Sequence, residues 1–245
     1  MRYMSDNRIL VMIPTYNERE NAVGLYEHLK KIDLDLDILF IDDGSPDGTG
    51  VALSDLSKKD QSLHVIHRKG KLGIGSAHKD GIAWAYASGY KSLVTMDGDY
   101  AHSPDDIDKF LEHSRNYDVV VGTRFIKQDS MVGLPFIRRF LSLTAHFMTQ
   151  YCLRMPYDAT NGFRLYRLDR IPADLFDNVM SDSYCFFFES IYILHVNDIP
   201  IVETPISLGG RLSGKSNMSL YDVMLSIRML MILVFRKYFR FGSSH

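Results

Sequence analysis

"SLVTMDGDYAHSPDDIDKFLEHS", residues 92–114, sets a strand, an acidic turn and a helix in direct succession. Residues 92–96 read as a buried apolar strand, and residues 104–114 read as a helix with Ser103 placed to cap it. Between them Asp97 and Asp99 stand two residues apart at the strand's carboxyl end. On extended backbone such a pair points to one side, so both carboxylates can face one cation. Mg2+ or Mn2+ suits hard oxygen ligands and leaves further positions to water or substrate phosphates. A solvated polar turn is the alternative, and the rest of the chain has to decide.

The same strand–turn–helix pattern repeats upstream. "RILVMI" (8–13) reads as a strand leading through "PTYNE" into a helix that Asn17 is placed to cap. "LDILFI" (36–41) runs into the turn "DDGSPDG", followed by a short helix near 49–58. "LHVI" (63–66) reads as a third strand, and the Gly-rich "GKLGIGS" feeds a helix from about Ser76. "DVVVG" (118–122) gives a fifth strand. Alternating strands and helices with short connections predict an α/β fold, with a mainly parallel, doubly wound sheet. In such folds ligands bind beyond the carboxyl ends of the strands, where "PTYNE", "DDGSPDG" and "DGDYAH" all fall. That coincidence favours the cation over the bare turn.

The second half has a different texture. "LPFIRRFLSLTAHFMTQYCLRM" (134–155) reads as an amphipathic helix, "DATNGFRLYR" (158–167) as a turn and short strand, and "YCFFFESIYILHV" (184–196) as an apolar helix. "IVETPISL" (201–208) resembles an edge strand, since Pro205 limits its pairing. A basic loop, "GGRLSGKSNMS" (209–219), precedes a last apolar helix ending in "RKYFR". With no repeat or low-complexity linker, residues 1–245 read as a single domain.

Bulk properties narrow the function. A net charge of −2 argues against nucleic acid as a partner and leaves phosphate binding to local Arg and Lys clusters. Two cysteines make no disulfide framework and suit a reducing compartment. No apolar run reaches the length of a membrane span, so the chain is expected to be cytoplasmic, touching a membrane from one side at most. The sequence has no G-x-G-x-x-G after the first strand, no Walker lysine, no H-E-x-x-H and no G-x-S-x-G. Arg124, Arg138, Arg139, Arg211 and Lys215 supply cations suited to phosphate oxygens.

Taken together, "IPTYNERENA", "IDDGSPDGT", "GKLGIGSAHKDG", "MDGDYAHSP", "VVVGTRF", "RRFLS", "DATNGFRLYR" and "RLSGKS" resemble the dolichol- and polyprenol-phosphate mannose synthases. These are inverting family 2 glycosyltransferases with the GT-A fold. The resemblance implies a nucleotide-sugar-binding half at 1–123 and an acceptor-binding half at 124–245, with a mobile loop at 209–217. It implies that Pro14, Tyr16, Glu18, Ile41 and Asp43 hold the nucleoside, and that Asp97, Gly98 and Asp99 hold Mg2+ or Mn2+ with the diphosphate. By the same likeness Arg124, Arg138 and Ser142 receive the lipid phosphate, and Arg211 and Lys215 grip phosphates from the loop. The group counted as catalytic is then Asp97, Asp99 and Arg124. Two departures stand out. Ala101 replaces the Gln or Ser that many members place beside the metal, leaving that place to water. Asn217 occupies a position that is often Lys, with Lys215 two residues earlier.

A lipid monophosphate needs no general base, because its oxygens are already anionic at neutral pH. The expected reaction is therefore transfer of mannose from GDP-mannose to a polyprenyl phosphate with inversion. Transfer from UDP-glucose or another UDP-sugar is the alternative within the fold, and a non-catalytic nucleotide-sugar-binding scaffold is the alternative outside it. A membrane surface or a small membrane-anchor protein is the further partner such an acceptor suggests.

Overall fold

The computed structural model describes residues 8–123, 149–207 and 220–240. Among the described residues seven strands form one sheet in the order β3-β2-β1-β4-β6-β5-β7. β1 (Ile9–Thr15), β2 (Leu36–Asp42), β3 (Leu63–His67) and β4 (Ser92–Thr95) are mutually parallel, with Met12 opposite Leu39 on one side and Thr95 on the other. β6 (Arg164–Arg167) runs antiparallel between β4 and β5 (Val119–Thr123), and β7 (Ile201–Pro205) lies parallel to β5 at the edge. The mainly parallel α/β sheet and the edge placement of the Pro205 strand agree with the sequence.

The continuous apolar runs follow from helices covering both faces. Along β1, Val11 and Ile13 face α1 (Arg19–Leu29), α2 (Thr49–Ser57) and α4 (Ile107–His113), joining Leu25, Leu53 and Phe110 in one core. Leu10 and Met12 face the other way, toward α3 (Ile74–Ala87), α6 (Cys185–Val196) and α7 (Leu220–Arg240), joining Ile82, Phe186 and Leu230. A one-turn helix, α5 (Asp174–Asp177), packs on α6.

Three local expectations change. Asn17 does not cap α1: it adopts φ 58°, which Asn tolerates better than most residues, and Glu18 takes the N-cap position. α3 starts at Ile74 rather than Ser76. Ser103 precedes a 3₁₀ turn (Pro104–Asp106), and its hydroxyl donates to the Asp105 carboxylate at 3.1 Å instead of capping the backbone.

α7 is the most exposed helix in its apolar content. Leu230 and Leu233 are buried, whereas Met224, Ile227, Met231 and Phe235 are all more than half exposed. Their spacing of three and four residues puts them on one face. The basic end is not a uniform cluster: Arg236 remains exposed, while the Lys237 ammonium turns inward and donates to the Leu153 carbonyl at 2.6 Å. Among the described residues no helix is long and apolar enough to cross a membrane.

Candidate active site

The carboxyl ends of β3, β2, β1 and β4 lie side by side, and their loops are bonded to one another. Asp43 N–H donates to the Thr15 carbonyl at 3.0 Å, joining the ends of β2 and β1. Asn17 N–H donates to Ser45 Oγ at 3.0 Å, Glu18 N–H to Thr49 Oγ1 at 3.2 Å and Arg19 N–H to Asp47 Oδ2 at 3.2 Å. Asp42 and Asp47 serve the turn itself: Asp42 receives the Ser45 hydroxyl at 2.5 Å, and Asp47 receives the Thr49 hydroxyl at 2.6 Å. The "DDGSPDG" acids thus divide, two building the loop and Asp43 facing the β3 end.

Arg68, directly after β3, meets Asp43 there at 2.5 Å; both side chains are buried. Its guanidinium also bonds the Ser76 hydroxyl and stands 3.0 Å from Asp80 Oδ2. Burial raises the Asp43 pKa above its ordinary value; Arg68 and the Leu72 N–H oppose that shift without cancelling it. Lys71 reaches over the Tyr16 ring, with Nζ 4.7 Å from the centroid. Pro14 pairs with Ile41 across β1 and β2, and Tyr16, Glu18 and Asp43 follow in the adjoining loops, whereas the Ile41 side chain is fully buried in the core beside α3.

Asp97 and Asp99 stand beside it. β4 ends at Thr95, and residues 98–99 form a turn, so the extended alternation expected for the acid pair does not apply. The turn brings Gly98 against β1, where a β-carbon would sit 3.1 Å from the Pro14 carbonyl oxygen. Asp99 is buried and accepts the Ala101 N–H at 3.0 Å, so the backbone of Ala101 steadies the acid although its side chain offers no ligand. The Asp97 N–H donates to Nδ1 of the buried His102 at 3.2 Å, and His102 stacks on Phe163 with centroids 5.0 Å apart. Asp97 remains about one-third exposed, at 35%.

The donor set fits a hard divalent cation. It offers two carboxylates at a strand end, and no group of three His, Cys, Asp or Glu side chains suited to a metal occurs among the described residues. Such a partial shell suits Mg2+ or Mn2+, which commonly keep water and phosphate oxygens as ligands.

The segment before β6 completes the floor. The Thr95 hydroxyl donates to the Gly162 carbonyl at 2.7 Å, and Asn161 Nδ2 donates to the Gly122 carbonyl at 2.7 Å. At Gly162 a β-carbon would lie 3.2 Å from Asp97 Oδ1 and 3.0 Å from the Phe187 ring, so a larger residue would press on the acid. Nearby, Glu203 accepts the Asp158 N–H, and burial raises its pKa. Arg124, Arg138, Ser142, Arg211 and Lys215 lie outside the described residues. The sequence alone assigns no role to Arg68, Lys71, His102, Asn161, Gly162 or Arg164. For Arg68 a signal existed, since it follows an apolar strand in line with the other strand-end polar residues.

The glycosyl transferase family 2 profile matches residues 10–171. Over 215 residues the chain is 35% identical to the polyprenol monophosphomannose synthase of Mycolicibacterium smegmatis, covering 86% of this chain and 81% of the relative. It is 36% identical over 213 residues to the undecaprenyl-phosphate mannosyltransferase of Micrococcus luteus, covering 86% and 88%. In fold it is similar to glucosyl-3-phosphoglycerate synthase from Mycobacterium tuberculosis with Mn2+ and UDP bound, at TM-score 0.62, 15% identity and coverage of 94% and 79%. The mannosyltransferase PcManGT from Pyrobaculum calidifontis, with GDP-Man and Mn2+, aligns at TM-score 0.58 and 14% identity, covering 97% of this chain and 65% of that one. The chain is a glycosyltransferase with the GT-A architecture and belongs to glycosyl transferase family 2.

Proposed function

We propose that this enzyme transfers mannose from GDP-mannose to a polyprenyl phosphate, giving the β-linked polyprenyl phosphomannose and GDP. The observation that carries the reading is the 35–36% identity, across most of the chain, to two enzymes named for mannosyl transfer to polyprenyl carriers. In this reading Tyr16, Glu18 and Asp43, with Pro14 and Ile41, hold the nucleoside. Asp97 and Asp99 hold Mg2+ or Mn2+, which offsets charge on the donor diphosphate. Arg124, Arg138 and Ser142 take the acceptor phosphate, and Arg211 and Lys215 close on phosphate from the basic loop.

The chemistry asks little proton transfer of the protein. The acceptor phosphate is anionic at neutral pH, since its second pKa is about 6. Its oxygen attacks the anomeric carbon from the face opposite the diphosphate; that new C–O bond forms as the bond to the diphosphate breaks, and the electron pair leaves with GDP. The residues have to bring two anionic substrates together, exclude water and hold the sugar for in-line displacement.

The acceptor is a membrane lipid, and the exposed apolar face of α7, bordered by exposed Arg228 and Arg236, suits shallow contact with an anionic bilayer surface. The two cysteines are free thiols, in keeping with the cytoplasmic face.

Incubation with Mn2+, a short polyprenyl phosphate and either labelled GDP-mannose or labelled UDP-sugars, followed by lipid extraction, tests the reading. Label should enter lipid from GDP-mannose. Label entering only from a UDP-sugar would end the mannose assignment, and none from any donor would end the transferase reading.

A further inference from the structure

Arg164, the first residue of β6, is fully buried, and all five of its N–H groups find acceptors. Nε donates to the Asn161 carbonyl at 2.7 Å, and Nη2 to the Ala159 and Phe187 carbonyls at 2.8 and 2.7 Å. Nη1 donates to the hydroxyls of Ser190 at 3.0 Å and Tyr166 at 3.2 Å. Every acceptor is neutral, and among the described residues no carboxylate lies within ion-pair distance. Glu189, the buried acid of α6, instead accepts the N–H groups of Met180 and Ser181 at 3.0 and 2.9 Å. Buried charges are ordinarily paired, because desolvation is costly. A cation kept here without a counter-charge therefore asks for a reason beyond packing.

Its position supplies one. Arg164 is opposite Thr95 in the β4–β6 ladder, two residues before Asp97. The carbonyls it grips belong to the 159–161 turn and to α6, and that turn sets Gly162 beneath Asp97 and Asn161 against the end of β5. The guanidinium thus fixes the floor between the acid pair and the β5 end, and its charge lies in a region of low dielectric where screening by water is weak.

We propose that Arg164 is a positioning residue of the donor site: its fork holds the Gly162 floor under Asp97, and its fixed positive charge favours the diphosphate anion there. The proposal rests on the transferase reading for its kinetic part but not for its binding part. The charge has a signature that a purely structural role lacks. It attracts an anion and repels a cation, so removing it should move the two affinities in opposite directions.

The test uses the full chain as wild type, Arg164→Lys and Arg164→Met, with folding checked by circular dichroism. Calorimetry measures GDP binding in EDTA and Mn2+ binding without nucleotide, and transfer kinetics use whichever donor the wild type accepts. Arg164→Met should bind GDP about tenfold more weakly and Mn2+ about two- to threefold more tightly. Arg164→Lys loses the five-donor fork, and burial can deprotonate its amine, so kcat should fall roughly tenfold or more while GDP affinity falls no further than in Arg164→Met. A folded Arg164→Met with both affinities weakened, or with neither changed, overturns the proposal. If that variant does not fold, Arg164→Lys decides: an unchanged kcat overturns it. A wild type that passes the binding tests yet transfers no mannose sinks the substrate assignment and leaves Arg164's role standing.

Discussion

Individual side chains in the candidate site divide into those that meet solvent and those that hold them. Asp43 is buried, and Arg68 already occupies one of its oxygens from an equally buried position. Arg68→Ala leaves that carboxylate buried without its cation, and breaking a buried pair from one side is costly. Unfolding in urea should show a loss of about 3 kcal/mol, and GDP affinity should fall with it; an unchanged midpoint and affinity would remove Arg68 from the site. Asp43 was legible from its place at a strand end, but its partner was not. The pairing depends on β3 lying next to β2, which no local pattern reports. Asp97 and Asp99 were legible for a reason that needs revision: a turn with Asp99 fixed by the Ala101 N–H, not strand alternation, sets the two acids.

Secondary-structure elements were read well where both faces of the sheet are covered, since buried parallel strands carry unbroken apolar runs. Helix starts were read less well, because caps depend on cross-loop bonds such as Glu18 N–H to Thr49 Oγ1 at 3.2 Å. Where α3 meets α6, His78 is buried against the rings of Phe186 and Phe187, at 5.2 and 5.0 Å between centroids. Burial, with a smaller push from Arg164, lowers its pKa to about 4, against a bond to the Ile74 carbonyl. The unfolded chain binds this proton more readily than the folded one. Stability is therefore whole above about pH 6.5 and is lost as pH falls toward 4, by roughly 3 kcal/mol for this group. Urea unfolding of wild type and His78→Leu across that range checks this: the gap between them should narrow or reverse on acidification. A constant gap would mean His78 is not held neutral.

For the molecule as a whole, the sequence made the sheet class and the family readable, whereas the antiparallel insertion of β6 between β4 and β5 was not. That insertion brings Gly162 to Asp97, and Arg164 opposite Thr95, from a segment distant in the chain. The exposed face of α7 belongs to the molecule's relation with its surroundings. Ile227→Glu with Met231→Glu should reduce sedimentation with anionic phospholipid vesicles about tenfold while leaving urea unfolding nearly unchanged, since both residues are more than half exposed. Equal sedimentation would assign the membrane contact elsewhere. The proposed sugar transfer rests on a divalent cation held at the end of β4, and manganese-edge anomalous scattering from crystals grown with GDP and Mn2+ tests for that ion directly. A peak about 2–2.5 Å from carboxylate oxygens of Asp97 or Asp99 and in contact with the diphosphate is expected. GDP bound with no peak beside either acid would contradict the proposed chemistry.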